Sequence, residues 1–106
     1  MPPPPRLDPT KRVSIPLSQI PRGSSLLLKH KGSPVLAIHT EAGIKAFSAV
    51  CTHLGCLVKW IPEKKVFDCP CHAAQFDASG KVLTGPPPEP LHPVNFEIID
   101  DNIIFL

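Results

Sequence analysis

The chain has 106 residues, which suits one domain, and its formal net charge of +2 comes from 11 Lys and Arg against 9 Asp and Glu. The basic residues are scattered and form no stripe, so nothing favours nucleic acid as a partner. Hydrophobic residues make up 42% of the chain, which argues against disorder, and 15 prolines argue against a mostly helical fold because proline interrupts helices.

The chain begins with a polar, proline-rich segment, residues 1–11. Pro2–Pro5 predicts either an extended polyproline tail, which could act as a tether, or a disordered start. The residues that follow Met1 do not form a signal peptide, and no run approaches the roughly 18 apolar residues of a membrane-spanning helix. We therefore expect any membrane anchor to be absent or removed from this chain.

Short strands separated by turn residues are predicted from Val13 onward. The segment Val13–Leu17 is expected at the edge of a sheet because Pro16 cannot donate a hydrogen bond to a neighbouring strand. Three strands with hairpin-length loops follow and predict a meander: Ser25–Lys31, Pro34–Thr40 and Ile44–Ala49.

The middle of the chain, from Val50 to about Leu91, has a different character. It contains all four cysteines and little regular pattern beyond the candidate strands Val58–Ile61 and Lys65–Asp68. Two further strands, Val94–Ile99 and Ile103–Leu106, predict a final hairpin. The predicted fold class is therefore all-β, with a β base that carries an inserted loop-rich lobe.

Cysteine and histidine are concentrated in two short motifs within this lobe. The first motif reads C-T-H-L-G-C at residues 51–56, and the second reads C-P-C-H at residues 69–72. Taken as ligands, Cys51 and His53 are followed, after fifteen intervening residues, by Cys69 and His72. Four soft or borderline ligands in two short groups indicate a metal site.

Three interpretations fit these motifs. A structural zinc ion also accepts two cysteines and two histidines, but zinc fingers usually pair Cys with Cys and His with His. Here each motif supplies one of each, which favours a 2Fe–2S cluster with both cysteines on one iron and both histidines on the other. Zinc, or two disulfides with incidental histidines, stay open as alternatives.

Both motifs resemble those of the Rieske family. The resemblance rests on Cys51–Cys56, Cys69–Asp77 and the later run Gly85–Pro88, and so spans roughly residues 51–91. It implies a Rieske fold, an antiparallel β-sandwich of three small sheets. On this basis the domain covers residues 12–106, and a loop-rich cluster-binding subdomain covers about 50–91.

The resemblance also implies how the site is built. One 2Fe–2S cluster would be held by four ligands, of which the two histidines face solvent and take part in the reaction: Cys51, His53, Cys69 and His72. A disulfide between Cys56 and Cys71 would join the two motifs and suggests an oxidising compartment. A proline loop would cover one side of the cluster: Gly85, Pro86, Pro87 and Pro88.

The mixed ligands affect the reduction potential. Two ferric ions, two sulfides and two thiolates sum to a formal charge of zero, and a neutral cluster accepts an electron more readily than a dianion. Histidine ligation therefore raises the potential, to roughly −150 to +300 mV. Reduction also makes a coordinated imidazole more basic, so that electron and proton uptake are coupled.

The second motif departs from high-potential members of the family, which continue C-H-G-S-x-Y. Here Ala73 replaces the glycine, Ala74 the serine and Phe76 the tyrosine, and the chain contains no tyrosine. The missing hydroxyls would otherwise donate hydrogen bonds to sulfur, and such bonds stabilise the reduced cluster. We therefore expect a low potential, suited to a donor such as menaquinol.

The leading hypothesis is the cluster domain of the Rieske subunit of a quinol:cytochrome c oxidoreductase of the cytochrome bc type. Its partners would be quinol and the cytochrome b and c-type haem subunits, at the periplasmic or outer face of an energy-transducing membrane. It would transfer electrons without being catalytic alone. The rivals are a soluble Rieske ferredoxin, the small subunit of an enzyme like arsenite oxidase, and a structural zinc domain.

Several other residues are given ordinary roles. His30 and His39 are expected to pack or face solvent, Trp60 is expected to pack, and His92 is expected on the surface. Two further expectations concern loops: Asp77–Gly80 should form a turn, and Leu54 should lie at a loop tip that contacts either a partner or its own loop.

Overall fold

The computed structural model describes residues 13–50, 56–71, 74–85 and 89–106. Ten strands lie within these ranges: β1 (Ser14–Pro16), β2 (Ser25–His30), β3 (Ser33–Thr40), β4 (Gly43–Ser48), β5 (Lys59–Ile61), β6 (Val66–Cys69), β7 (Ala74–Asp77), β8 (Val82–Thr84), β9 (Phe96–Ile99) and β10 (Asn102–Phe105). They form three antiparallel sheets, which confirms the predicted all-β class and its three small sheets. The predicted tail, residues 1–11, lies outside the described residues.

The first sheet joins the two ends of the described chain in the order β1-β10-β9. Strand β1 lies at its edge, as predicted from Pro16, and pairs with β10 from Ser14 opposite Ile104. The β9–β10 hairpin turns through Asp100 and Asp101, whose φ angles are 50° and 62°. Two consecutive left-handed residues form the turn that best matches the twist of a two-residue hairpin, and Asp tolerates this conformation.

The second sheet is the predicted meander, in the order β2-β3-β4. Its central strand β3 is buried on both faces. Leu36 and Ile38 pack towards the lobe, in one cluster with Phe67 and Phe76, whereas Val35 and Ala37 pack towards the first sheet, in a cluster with Phe105. A strand covered on both faces needs an unbroken apolar run, which is what residues 35–38 provide.

The third sheet lies in the lobe and has the order β5-β6-β7-β8. The sequence predicts β5 and β6 but not β7 and β8, so the lobe is more regular than expected. Strand β8 has only three residues, and a bulge interrupts its pairing with β7 between Gln75 and Phe76. Such short strands lack enough alternation for a period-two pattern to be visible.

The two histidines on the predicted strands have packing roles. His30 is buried, and its Nε2 lies 3.1 Å from the backbone oxygen of Leu106. His39 donates a hydrogen bond from Nδ1 to the backbone oxygen of Ile20 at 2.8 Å. Within the described ranges, no helix has the length and hydrophobicity that a membrane span requires.

Candidate metal centre

Cys69 ends strand β6 and lies in the core of the lobe. Along β6 the side chains alternate, so Phe67 and Cys69 point inward, and both are 0% exposed. Opposite Cys69 in the β6–β7 pairing is Ala74, which is equally buried. The predicted ligand Cys69 is therefore held by a regular strand and is shielded from solvent. It lies where β6 ends and the hairpin turns.

The two motifs lie on two closed loops. The second motif occupies the β6–β7 loop, which the pairing of Cys69 with Ala74 closes at its base. The first motif is bracketed by an antiparallel bridge between Val50 and Leu57, and the Val58 N–H donates to the Ala49 oxygen at 2.8 Å. Backbone pairing therefore holds together the ends of both loops.

A disulfide between Cys56 and Cys71 joins these loops, with an S–S distance of 2.00 Å and a Cα–Cα distance of 6.4 Å. This confirms the predicted disulfide. The bond therefore brings the last residue of the first motif next to the third residue of the second motif.

The disulfide also restricts the possible ligands. The chain has four cysteines, and the disulfide uses two of them, so only Cys51 and Cys69 can supply thiolates. Two thiolates with two imidazoles fit a Rieske cluster, whereas a cluster held by four cysteines cannot be assembled here. Cys51, His53 and His72 lie outside the described residues, so the complete ligand set stays a prediction.

The predicted proline loop is anchored on the hairpin that carries Cys69. Gly85 has a φ of +106°, and a β-carbon added there would lie 2.6 Å from the Cα of Ala74. Beyond the loop, the Leu91 N–H donates to the Gly80 oxygen at 2.8 Å, and Leu91 is only 2% exposed. Pro86–Pro88 lie outside the described residues, but both flanks of the loop are attached to the cluster lobe.

The predicted turn at Asp77–Gly80 is present and supports this anchor. The Asp77 Oδ1 accepts hydrogen bonds from the Ser79 N–H at 2.8 Å, the Ser79 hydroxyl at 2.6 Å and the Lys81 N–H at 3.0 Å. Desolvation raises the pKa of Asp77, but the Ser79 and Lys81 hydrogen bonds and the Lys81 charge outweigh it, and the pKa is lowered overall. The sequence predicted this turn but not its contact with Leu91 through Gly80.

Trp60 and His92, to which the sequence gives ordinary roles, have those roles in the structure. Trp60 packs on Phe67 with ring centroids 5.0 Å apart. His92 is a surface residue, and its Nε2 lies 3.6 Å from a carboxylate oxygen of Glu89. Leu54 lies outside the described residues.

Comparison with known families decides the assignment. The model of the Rieske [2Fe-2S] domain matches residues 11–97. The chain belongs to the Rieske [2Fe-2S] domain family. The predicted resemblance is thereby confirmed, and the predicted cofactor, one 2Fe–2S cluster, is the one that defines this family.

Relatives of this Rieske domain include iron-sulfur subunits of cytochrome b6-f complexes. It is 44% identical over 92 residues to the cytochrome b6-f complex iron-sulfur subunit of Prochlorococcus marinus, covering 83% of this chain and 52% of that protein. It is 34% identical over 103 residues to the corresponding subunit of Chlorobaculum tepidum, covering 91% of this chain and 57% of that protein. The chain thus spans about half the length of the curated relatives it matches.

A solved structure of a hyperthermophilic respiratory Complex III contains a similar fold. Its matching chain has a TM-score of 0.77 and 32% identity, and the match covers 86% of this chain and 72% of that chain. The match extends over most of this chain, which confirms the Rieske fold.

Proposed function

We propose that this Rieske domain transfers single electrons as the cluster-bearing part of the iron–sulfur subunit of a cytochrome bc-type complex. The observation that carries the proposal is the Cys56–Cys71 disulfide between the two motif loops. In the Rieske family this extra cysteine pair is typical of subunits of cytochrome bc complexes and generally absent from ferredoxins that serve ring-hydroxylating oxygenases. Some small subunits of arsenite oxidases also have it. The similarity to cytochrome b6-f iron-sulfur subunits supports the same assignment.

Within this proposal Cys51 and Cys69 hold one iron, and His53 and His72 hold the other. The support is the buried position of Cys69 at the end of β6 and the engagement of the other two cysteines in the disulfide. When bound, the cluster supplies a one-electron couple within roughly −150 to +300 mV.

The two histidines provide the proton chemistry. A neutral imidazole that binds a metal through one ring nitrogen carries a proton on the other. After loss of that proton, the free nitrogen of His53 or His72 would accept a hydrogen bond and then a proton from quinol. Once protonated, it would donate a hydrogen bond to the quinone product. His53 and His72 are therefore the proposed reactive residues.

The ligand assignment is tested by substitution with spectroscopic and chemical readouts. Cys69→Ser and Cys51→Ser should each abolish the split visible absorption and the low-g EPR signal of a Rieske centre, together with bound iron and sulfide. The matched control is the double variant Cys56→Ser/Cys71→Ser, which leaves all four proposed ligands in place. The assignment fails if the control loses the signal while Cys69→Ser retains it, or if the purified protein holds zinc in place of iron and sulfide.

We further propose a low reduction potential, suited to a menaquinol-type donor. Ala74 and Phe76 are both 0% exposed and belong to the same buried cluster as Cys69. Neither side chain carries a hydroxyl, so neither can donate a hydrogen bond to a cluster sulfur or ligand thiolate. Voltammetry of the holoprotein tests this, and a midpoint near the top of the Rieske range at neutral pH would contradict it.

The proposed partners are quinol and the b-type and c-type haem subunits of the complex, at the periplasmic or outer face of the membrane. The disulfide supports an oxidising compartment. Residues 1–11 would form the tether towards a membrane anchor. Affinity purification of the tagged protein from detergent-solubilised membranes should recover b-type and c-type haem polypeptides with quinol-dependent reduction of cytochrome c.

The same purification separates the proposal from its main rival. Ala74 and Phe76 favour, to some extent, a soluble electron-transfer module such as a Rieske ferredoxin or the small subunit of an enzyme like arsenite oxidase. Recovery of a molybdenum-containing oxidase or a soluble oxygenase, with no haem polypeptides, would replace the bc-type assignment with that one.

A further inference from the structure

A groove of about 390 Å³ lies between the lobe and the turn that joins β3 to β4. The β5–β6 and β6–β7 pairings define its position, because Cys69 faces Ala74 at one end of the sheet and Val66 faces both Ile61 and Asp77 at the other. Pro62, Lys65 and Ala78 line the groove beside this second end, and Thr40 and Lys45 line it from the meander. It is therefore separate from the cluster site.

The charged side chains that line the groove are mostly basic: Arg22, Lys45 and Lys65 against one carboxylate, Glu41. The rest of the lining is largely apolar. The Lys65 Nζ lies 3.4 Å from Oε1 of Glu41, and these side chains are 69% and 84% exposed, so they form an ion pair at the surface. Within the described ranges no acidic side chain pairs with Arg22 or Lys45, so the groove retains two uncompensated positive charges.

Two rings in the groove are held in fixed orientations. The Trp60 Nε1–H donates to the Gly23 oxygen at 3.3 Å while its ring packs on Phe67, so the indole is anchored at both its polar and its apolar parts. The backbone oxygen of Ile20 can only accept, so His39 carries its proton on Nδ1. In the neutral ring Nε2 is then the acceptor, which suits an N–H donor from a bound peptide.

We propose that this groove binds an acidic segment of a partner protein, in which Asp or Glu residues flank an apolar or aromatic side chain. Arg22 and Lys45 would pair with the carboxylates, and the apolar side chain would lie against Trp60. Anchored aromatic rings with charged rims are characteristic of protein-binding sites, in which complementary charge contributes specificity and association rate. The exposure of the rim charges suits an extended partner better than an enclosed small molecule.

The test uses the full-length holoprotein and a capped peptide of sequence Glu-Phe-Asp-Leu-Glu. Trp60 is the only tryptophan and the chain has no tyrosine, so intrinsic fluorescence reports on the groove. The peptide should change the Trp60 emission saturably, and high salt should weaken its binding. The double variant Arg22→Gln/Lys45→Gln should bind about tenfold more weakly, as expected from the loss of one exposed and one half-buried charge pair.

Lys29→Gln provides a matched control because Lys29 is exposed and does not line the groove. It should bind the peptide like the unmodified protein, and all variants should retain the cluster absorption, which separates this proposal from the one on electron transfer. The proposal is overturned if the amide peptide Gln-Phe-Asn-Leu-Gln binds equally well, or if the double variant binds unchanged. Arg22- and Lys45-dependent binding to anionic phospholipid vesicles without peptide binding would also overturn it, in favour of a membrane surface.

Discussion

Gly85 lies directly against Ala74, so closely that a β-carbon on Gly85 would come within 2.6 Å of the Ala74 Cα and 2.8 Å of its Cβ. Ala74 in turn faces Cys69 across the β6–β7 hairpin. The start of the proline loop is therefore seated on the hairpin that carries a proposed cluster ligand. Only a residue without a side chain permits this approach.

Gly85→Ala should consequently destabilise the protein by about 2–4 kcal/mol, from an unfavourable φ together with overpacking against backbone. Gly43→Ala is a matched control because Gly43 has a similar φ of +112° but nothing within 4 Å of an added β-carbon. It should cost only about 1–2 kcal/mol. Denaturant unfolding of both variants measures the difference, and equal losses would show that the contact with Ala74 is unimportant.

The disulfide should contribute mainly to stability. Cys56 and Cys71 are 15 residues apart, and cross-linking a loop of that length is worth about 3 kcal/mol by chain entropy. The double variant Cys56→Ser/Cys71→Ser should lose about this much free energy of unfolding. A thiol reductant should produce a similar loss in the unmodified protein and none in the double variant, and a loss under reductant in both would point to a different target.

Restoring the two hydroxyls should raise the reduction potential. Ala74→Ser and Phe76→Tyr each add a donor that can stabilise a more negative cluster. A hydrogen bond worth about 1 kcal/mol shifts a one-electron couple by about 40 mV, so the double variant should gain about 80 mV. Voltammetry measures the shift, and Phe96→Tyr, on the separate first sheet, is the control that should leave the midpoint unchanged.

Asp77 should make the β7–β8 turn sensitive to acid. Its folded-state pKa is lowered, so its contribution to stability is present above the unfolded-state pKa and is lost as the pH falls through the folded value. Asp77→Ala should cost about 1 kcal/mol at neutral pH, discounted for solvent exposure, and less in acid. Unfolding measured from neutral pH to about pH 3 tests this, and a difference that grows on acidification would contradict the direction of the shift.

Much of the fold follows from local patterns in the sequence. The meander is predictable because β2, β3 and β4 each have at least six residues and turn residues lie between them. The two strands that the prediction misses, β7 and β8, are short and lie among motif residues and turns. They become strands because neighbouring strands supply hydrogen bonds, which is a tertiary effect that a short segment does not encode.

The candidate site, like the fold, is predicted only in part by local sequence. Spacing alone indicates a metal site with two cysteines and two histidines, since ligand type and motif length are local properties. The pairing of Cys56 with Cys71 came only from the family resemblance until the structure joined the two loops. The close contact between Gly85 and Ala74 cannot be predicted from the sequence, which shows only a glycine followed by prolines.

Local sequence is enough to identify the residue types that can bind iron, the hydroxyls that are missing and most of the strands. The contacts between distant segments are visible only in the folded chain. There the meander packs between the other two sheets, and the Leu91 N–H donates to the Gly80 oxygen. Arg22, Lys45 and Trp60 line one groove. Ligand identity is a property of single side chains, whereas these contacts depend on packing between residues far apart in the chain.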